Sequence, residues 1–235
     1  MTVDARAFGG RNANRQQGLP EQVASYVRER IFSGEVKPGE FLRMEPICEA
    51  VGVSNTPVRE GMQLLRSEGF VQMVPRRGFV VASFTRRDIR DLFWVQAHLA
   101  GELAARAAAN ISPEQLARLD EIMVENKEAV AAGDNRRITD LGHEFHRQIN
   151  LAADSQRLAL LLGSVVKHLP NRFYATIEQQ VDATVNDHPH LVEALRSGNT
   201  RAARSTMKKH IATSADYLIA KLEEQGMWSD GTPAK

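Results

Sequence analysis

Histidine is distributed unevenly in this chain: all seven lie beyond Thr85. Three of them can act together. His146 falls within HEFHRQI, His188 opens HPHLVEALRSGN, and His210 lies in MKKHIATSADYLIAKLEE. Three helices can therefore each aim one imidazole at a common point. Three imidazoles are enough to bind a divalent metal while leaving positions for water or a ligand. Spacing alone leaves the plainer alternative open, in which unrelated helices carry histidines that satisfy core or surface hydrogen bonds.

A second chemistry is carried by Val51 to Val81. Ile47 and Val51 stand four apart, so Pro46 to Val51 predicts a short helix closed by Gly52 in the left-handed position. Ser54 and Thr56 can each cap a new helix that tolerates Pro57 in its first turn. Val58, Met62 and Leu65 then repeat at helical spacing as far as Gly69. Phe70 to Val74 and Phe79 to Ser83 read as two strands around Pro75, Arg76, Arg77 and Gly78. Helix, turn, helix and cationic hairpin make a winged helix-turn-helix, and double-stranded DNA is its expected partner. The start of the second helix enters the major groove in such proteins. Ser54, Asn55, Thr56 and Arg59 hold those positions, while Arg43, Arg66 and the wing residues Arg76, Arg77 and Gly78 are candidates for phosphate contact. In the alternative, Ser54 and Thr56 only cap and Arg59 pairs with Glu60 or Glu68. From Ser54 to Arg90 seven arginines face three carboxylates, a local excess of +4 in a chain of net charge +1. That footprint predicts salt-sensitive binding, doubled in a dimer.

Around these groups the expected architecture is mainly α, with a small β-wing at the N-terminal end and an all-α antiparallel bundle beyond it. Residues 1–17, with Arg6, Arg11 and Arg15 among Gly, Asn and Gln, read as a disordered arm. Residues 18–84 form the DNA-binding domain, 85–226 the helical domain and 227–235 a disordered tail. Breaks at Ser112-Pro113, Gly133-Asp134, Ala153-Asp154, Pro170, Pro189 and Gly198 divide the bundle into six or seven helices, two of them within Asn171 to Asn186 and from His188 to Ser197. A bundle of that size can enclose a small-molecule cavity. The apolar run Leu158 to Val166 is too short to span a bilayer and the N-terminus has no apolar signal core, so a cytoplasmic protein without membrane association is expected. Cys48, the single cysteine, excludes an internal disulfide and reads as a small core residue.

Gln22 to Val81, with VASYVRERIFSGEVKPGEFL, GVSNTPVREGMQLLRSEGFV and RRGFVV, resembles the DNA-binding domain of the GntR family of bacterial transcription regulators. That family usually has arginine after the GVS serine. Asn55 stands here and favours adenine where arginine favours guanine. DLFWVQAHLAGELAARAAA, EFHRQINLAADSQRL and HPHLVEALRSGNTRAARSTMKKHI, over roughly residues 86 to 225, resemble the FCD effector-binding domain of the FadR-like branch. The resemblance implies a metal, with zinc and nickel foremost, held by His146, His188 and His210. It also implies an aspartate four residues before His146, where this chain has Gly142. Another carboxylate, water, or His143, which sits one helical turn before His146, is expected to take that place. The family's arginine and glutamate on the first bundle helix correspond to Gln96 and Ala100, so Arg172 is the candidate to pair with a carboxylate effector. The function implied is a homodimeric repressor released from its operator by a small organic acid. A metal-dependent enzyme, with His143 or Glu144 as base, and a constitutive DNA-binding protein with a structural metal are the rivals. Nothing in the sequence assembles an acid, a base and an oxyanion donor around one reacting atom.

Overall fold

The computed structural model describes residues 18–169, 181–224 and 226–228, with backbone alone over 181–186. They form two compact units. One runs up to Arg86 and takes in the residues from Lys221 onward; the other is Arg87–Ala220.

The first unit is built on three helices. α1 (Leu19–Phe32) begins with proline in its first turn and buries Val23, Ala24, Val27, Ile31 and Phe32 at helical spacing. α2 (Met44–Val51) starts two residues ahead of Pro46, because the amides of a helix's first turn have no intrahelical partner and a proline there removes nothing. Gly52 closes it at φ 73, its N–H donating to the Cys48 carbonyl, as the sequence predicts. α3 (Asn55–Ser67) buries Pro57, Val58, Gly61, Met62 and Leu65. A Cβ on Gly61 would lie 2.7 Å from both the Pro20 carbonyl oxygen and Val23 Cγ1, so glycine is what allows α1 to cross so close. Arg28, 4% exposed, locks the crossing. Its Nε donates to Glu68 at 2.9 Å and its Nη2 to Glu21 at 3.0 Å. Burial is the largest single influence on this guanidinium and would lower its pKa, but the hydrogen bonds and charges of Glu68 and Glu21 outweigh it and raise the pKa overall.

The wing is a three-stranded antiparallel sheet in the order β1-β3-β2: β1 (Phe41–Leu42), β2 (Val71–Val74) and β3 (Gly78–Val81). β2 and β3 are shorter than the sequence suggests, and β1 pairs Phe41 with Val80 and Leu42 with Phe79. At the tip Arg76 takes φ 62 and Gly78 φ 99, which reverses the chain within three residues. Phe32, Phe70 and Phe84 meet below it with ring centroids 5.3 to 5.8 Å apart. Residues 221–224 and 226–228 also belong to this unit, so Trp228 is held within the stretch expected as a tail from residue 227. Trp228 Nε1 donates to the Phe84 carbonyl at 2.7 Å, Arg86 lies 4.7 Å from the indole ring, and Arg86 is ion-paired with Glu223. A tryptophan offers apolar area, an N–H that needs an acceptor and a face for a cation, and all three are used.

The second unit is helical. α4 (Arg86–Asn110) turns a seam of small residues inward, among them Ala97, Ala100, Gly101, Ala104, Ala107 and Ala108. α5 (Pro113–Ala131) opens with a capping box, Gln115 N donating to Ser112 Oγ and Ser112 N to Gln115 Oε1. α6 (Asn135–Ala152), capped by Asp134, and α7 (Gln156–Val166) follow. α8 (Val181–Arg196) contains Pro189 in its interior, so the expected helix start at His188 is wrong. A proline costs one backbone hydrogen bond and some strain, which a helix packed into a core can absorb. α9 (Thr200–Glu224) closes the order. Glu102 accepts from Arg204 at 2.8 Å and Arg106 at 3.0 Å, tying α4 to α9, and these bonds hold its carboxyl below the ordinary range.

Candidate metal centre and nucleic-acid interface

His146 from α6, His188 from α8 and His210 from α9 converge. One ring nitrogen from each lies within 4.8 Å of the others. His188 and His210 are 6% and 3% exposed, and His146 is half-buried. The Nε2 atoms of His146 and His210 are 3.3 Å apart. Two nitrogens bound to one tetrahedral zinc at about 2.0–2.1 Å stand about 3.3–3.4 Å from each other, so this pair already has the spacing of two ligands. Phe145 stacks on His188 at 3.9 Å and 16°, fixing that ring. Among the described residues no other group of three histidine, cysteine or carboxylate side chains is so placed.

His143 is not part of this group. It is exposed, because it lies two residues from both Leu141 and Phe145 and hence nearly opposite the buried stripe of Ile138, Leu141, Gly142, Phe145 and Ile149. Among the described residues a carboxylate that approaches the cluster is Asp187, whose Oδ2 is 3.6 Å from His210 Nδ1. Its sequence signal was its place directly before His188. Gly142 lines a cavity of ≈ 40 Å³ together with Phe145, His188, Pro189, Asn126 and Lys127. That volume admits a few waters or a very small ligand. Gln96 is buried on α4 at 1% exposure, and Arg172 lies outside the described residues.

In the first unit Ser54, Asn55, Thr56 and Arg59 are all exposed at the start of α3. Ser54 is the N-cap by backbone conformation, yet its side chain makes no capping bond. Arg59 has no ion pair among the described residues, since Glu68 is taken by Arg28. Cys48 is half-buried rather than core, and its thiol donates to Asn55 Oδ1 at 3.4 Å. Arg66 donates to Gln63, and the Arg77 guanidinium lies 4.4 Å from the Phe41 ring, which holds it at the wing. Arg43, Arg76 and Gly78 are likewise exposed. Replacing Arg59 with alanine is expected to weaken operator binding by about 1–3 kcal/mol in a fluorescence anisotropy titration. Unchanged affinity on the true operator would remove it from the interface.

An open recognition helix with a cationic wing, followed by a helical domain, defines a DNA-binding transcription regulator. The chain belongs to the FCD-domain regulators of the gntR family of bacterial regulatory proteins: residues 19–81 match the gntR family and residues 91–213 the FCD domain. It is 25% identical over 206 residues to the uncharacterized HTH-type transcriptional regulator YdhC of Bacillus subtilis, covering 86% of this chain and 92% of that one. A probable D-xylose utilization operon transcriptional repressor of Paenarthrobacter nicotinovorans is 25% identical, with 88% and 91% covered. The Glc operon transcriptional activator of Escherichia coli is 26% identical, with 82% and 86% covered. The fold matches the solved structure of E. coli McbR/YncC with TM-score 0.63 at 22% identity, over 90% of this chain and all of that one. These relatives are regulators, not enzymes. No described helix is long and apolar enough to cross a membrane.

Proposed function

We propose that the protein is a metabolite-responsive repressor. It binds a two-fold related operator as a homodimer and holds a divalent metal, zinc or nickel, at His146, His188 and His210, where a small organic acid acts as effector. The convergence of three imidazoles from three helices, two of them buried, carries this reading. A metal bound there would supply a Lewis-acidic position for an oxygen donor. The chain's own groups do the rest. Phe145 fixes the His188 ring, and Lys127 brings a cation to the cavity beside Gly142 that can face an anionic ligand. With His143 turned outward, the position implied for a carboxylate ligand at Gly142 is open to water or to the effector.

On the DNA side, Ser54, Asn55, Thr56 and Arg59 would meet base edges, with Arg43, Arg66, Arg76, Arg77 and Gly78 along the phosphates. Asn55, paired to Cys48, favours adenine. The relatives include both a repressor and an activator by name; release of a repressor is the simpler use of an effector that alters the spacing of two DNA-binding domains.

α9 offers a route for that change. It carries His210, and its last residues, with Trp228, pack in the DNA-binding unit against Phe84 and Arg86. The test uses an operator selected from random DNA. Trp228→Ala is expected to leave affinity for that operator within about threefold while weakening the effector's ability to release the protein. An effector response identical to that of the parent would exclude this route.

A further inference from the structure

The acidic side chain at the histidine cluster stands where it controls a ligand instead of acting as one. His210 presents Nε2 to His146 at 3.3 Å and faces Asp187 Oδ2 with Nδ1 at 3.6 Å, an electrostatic separation longer than a hydrogen bond. An imidazole ligates a metal only through an unprotonated nitrogen, and the proton must then sit on the other one. A carboxylate facing Nδ1 favours that tautomer by attracting its N–H and raises the electron density at Nε2. The placement follows from sequence. Asp187 and His188 are adjacent on α8, about 100° apart around the helix, so one segment delivers a metal ligand and the group that orients a second ligand on α9. Asp187 is 16% exposed and His210 4% at their side chains, so the pair is shielded enough for the charge to act strongly. Ser214 Oγ donates to the His210 carbonyl one turn on, a contact with the backbone and not with the ring.

We infer that Asp187 is the positioning residue of the metal centre. It holds His210 in the tautomer with Nδ1 protonated and Nε2 free to bind, so that the histidines can take up metal although Gly142 supplies no carboxylate. This rests on the proposal that His146, His188 and His210 bind metal.

The test is zinc affinity of the full-length protein by competition with a chromophoric chelator, for the parent, Asp187→Asn, Asp187→Ala and Asp187→Glu. A fall of about 10- to 100-fold is expected for alanine, a smaller fall for asparagine, whose neutral oxygen can still accept, and partial recovery for glutamate. The melting temperature of each metal-free variant is expected to stay within a few degrees of the metal-free parent, which a structural role for Asp187 would not allow. The nitrogen chemical shifts of His210 in the metal-free protein, read by NMR, provide a measure independent of metal. The parent is expected to show protonated Nδ1, and Asp187→Ala a mixture of tautomers. Zinc binding equally to parent and Asp187→Ala overturns the inference and leaves the metal centre standing. A parent that binds no zinc overturns both.

Discussion

Replacing Glu68 with alanine is expected to destabilise the DNA-binding unit by about 3 kcal/mol, measured as the loss in unfolding free energy in urea. Arg28 is 4% exposed, and Glu68 contacts it through both carboxylate oxygens, at 2.9 and 3.1 Å. Removing one partner of a buried pair leaves a guanidinium that cannot reach water, a loss of about 3–5 kcal/mol. The remaining bond to Glu21 places this case at the lower end. A loss of that size is a large share of a small unit's stability of about 5–15 kcal/mol. Arg28→Met should cost less, because Glu21 and Glu68 are 23% and 15% exposed and can rehydrate while the methionine fills the space of the arginine stem. An equal or larger loss from Arg28→Met would show that packing of the stem, not the stranded charge, dominates. Operator binding should fall with either variant only as far as the folded fraction falls, since neither residue faces the recognition surface.

The second large effect concerns the histidines. Substituting alanine at His146, His188 and His210 is expected to take metal content from about one per chain to none by plasma mass spectrometry. Alanine at two nearly buried positions also opens cavities, so stability alone is a poor readout. The metal-dependent part of stability is the specific one. A ligand that binds only the folded state adds about 2.7 kcal/mol at a hundred times its dissociation constant. The parent should therefore melt several degrees higher with zinc than with chelator, and the triple variant should melt alike in both. A zinc-induced rise surviving in the variant would place the metal elsewhere.

Much of this was legible in the sequence, for reasons particular residues make clear. Gly52, Gly69 and Gly78 all take positive φ where turns were read. The caps at Ser112 and Asp134 are local interactions within three residues, and the helices they open begin at the expected places. The three histidines could be named because their segments had clear helical periodicity, and the resemblance to FCD domains tied them together. What failed depended on distance in sequence or on context. Pro189 reads as a breaker, yet a packed helix absorbs it. His143 looked near enough to His146 to help, but a step of two residues from both Leu141 and Phe145 turns it to solvent. Trp228 near the end of a polar tail gives no periodic signal, and its acceptor is a backbone carbonyl 144 residues away. The partner of Glu68 is likewise 40 residues distant, so the competing pairing with Arg59 could not be dismissed from sequence.

A ligand at the histidine cluster is proposed to control DNA binding. Anisotropy of a selected operator with zinc-loaded protein, titrated with a panel of small mono- and dicarboxylates, reads that control. The parent and the triple histidine-to-alanine variant are compared throughout. At least one carboxylate is expected to weaken operator binding of the parent tenfold or more and to leave the variant's affinity unchanged. The same release in the variant, or no release of the parent by any carboxylate in the panel, would rule that control out.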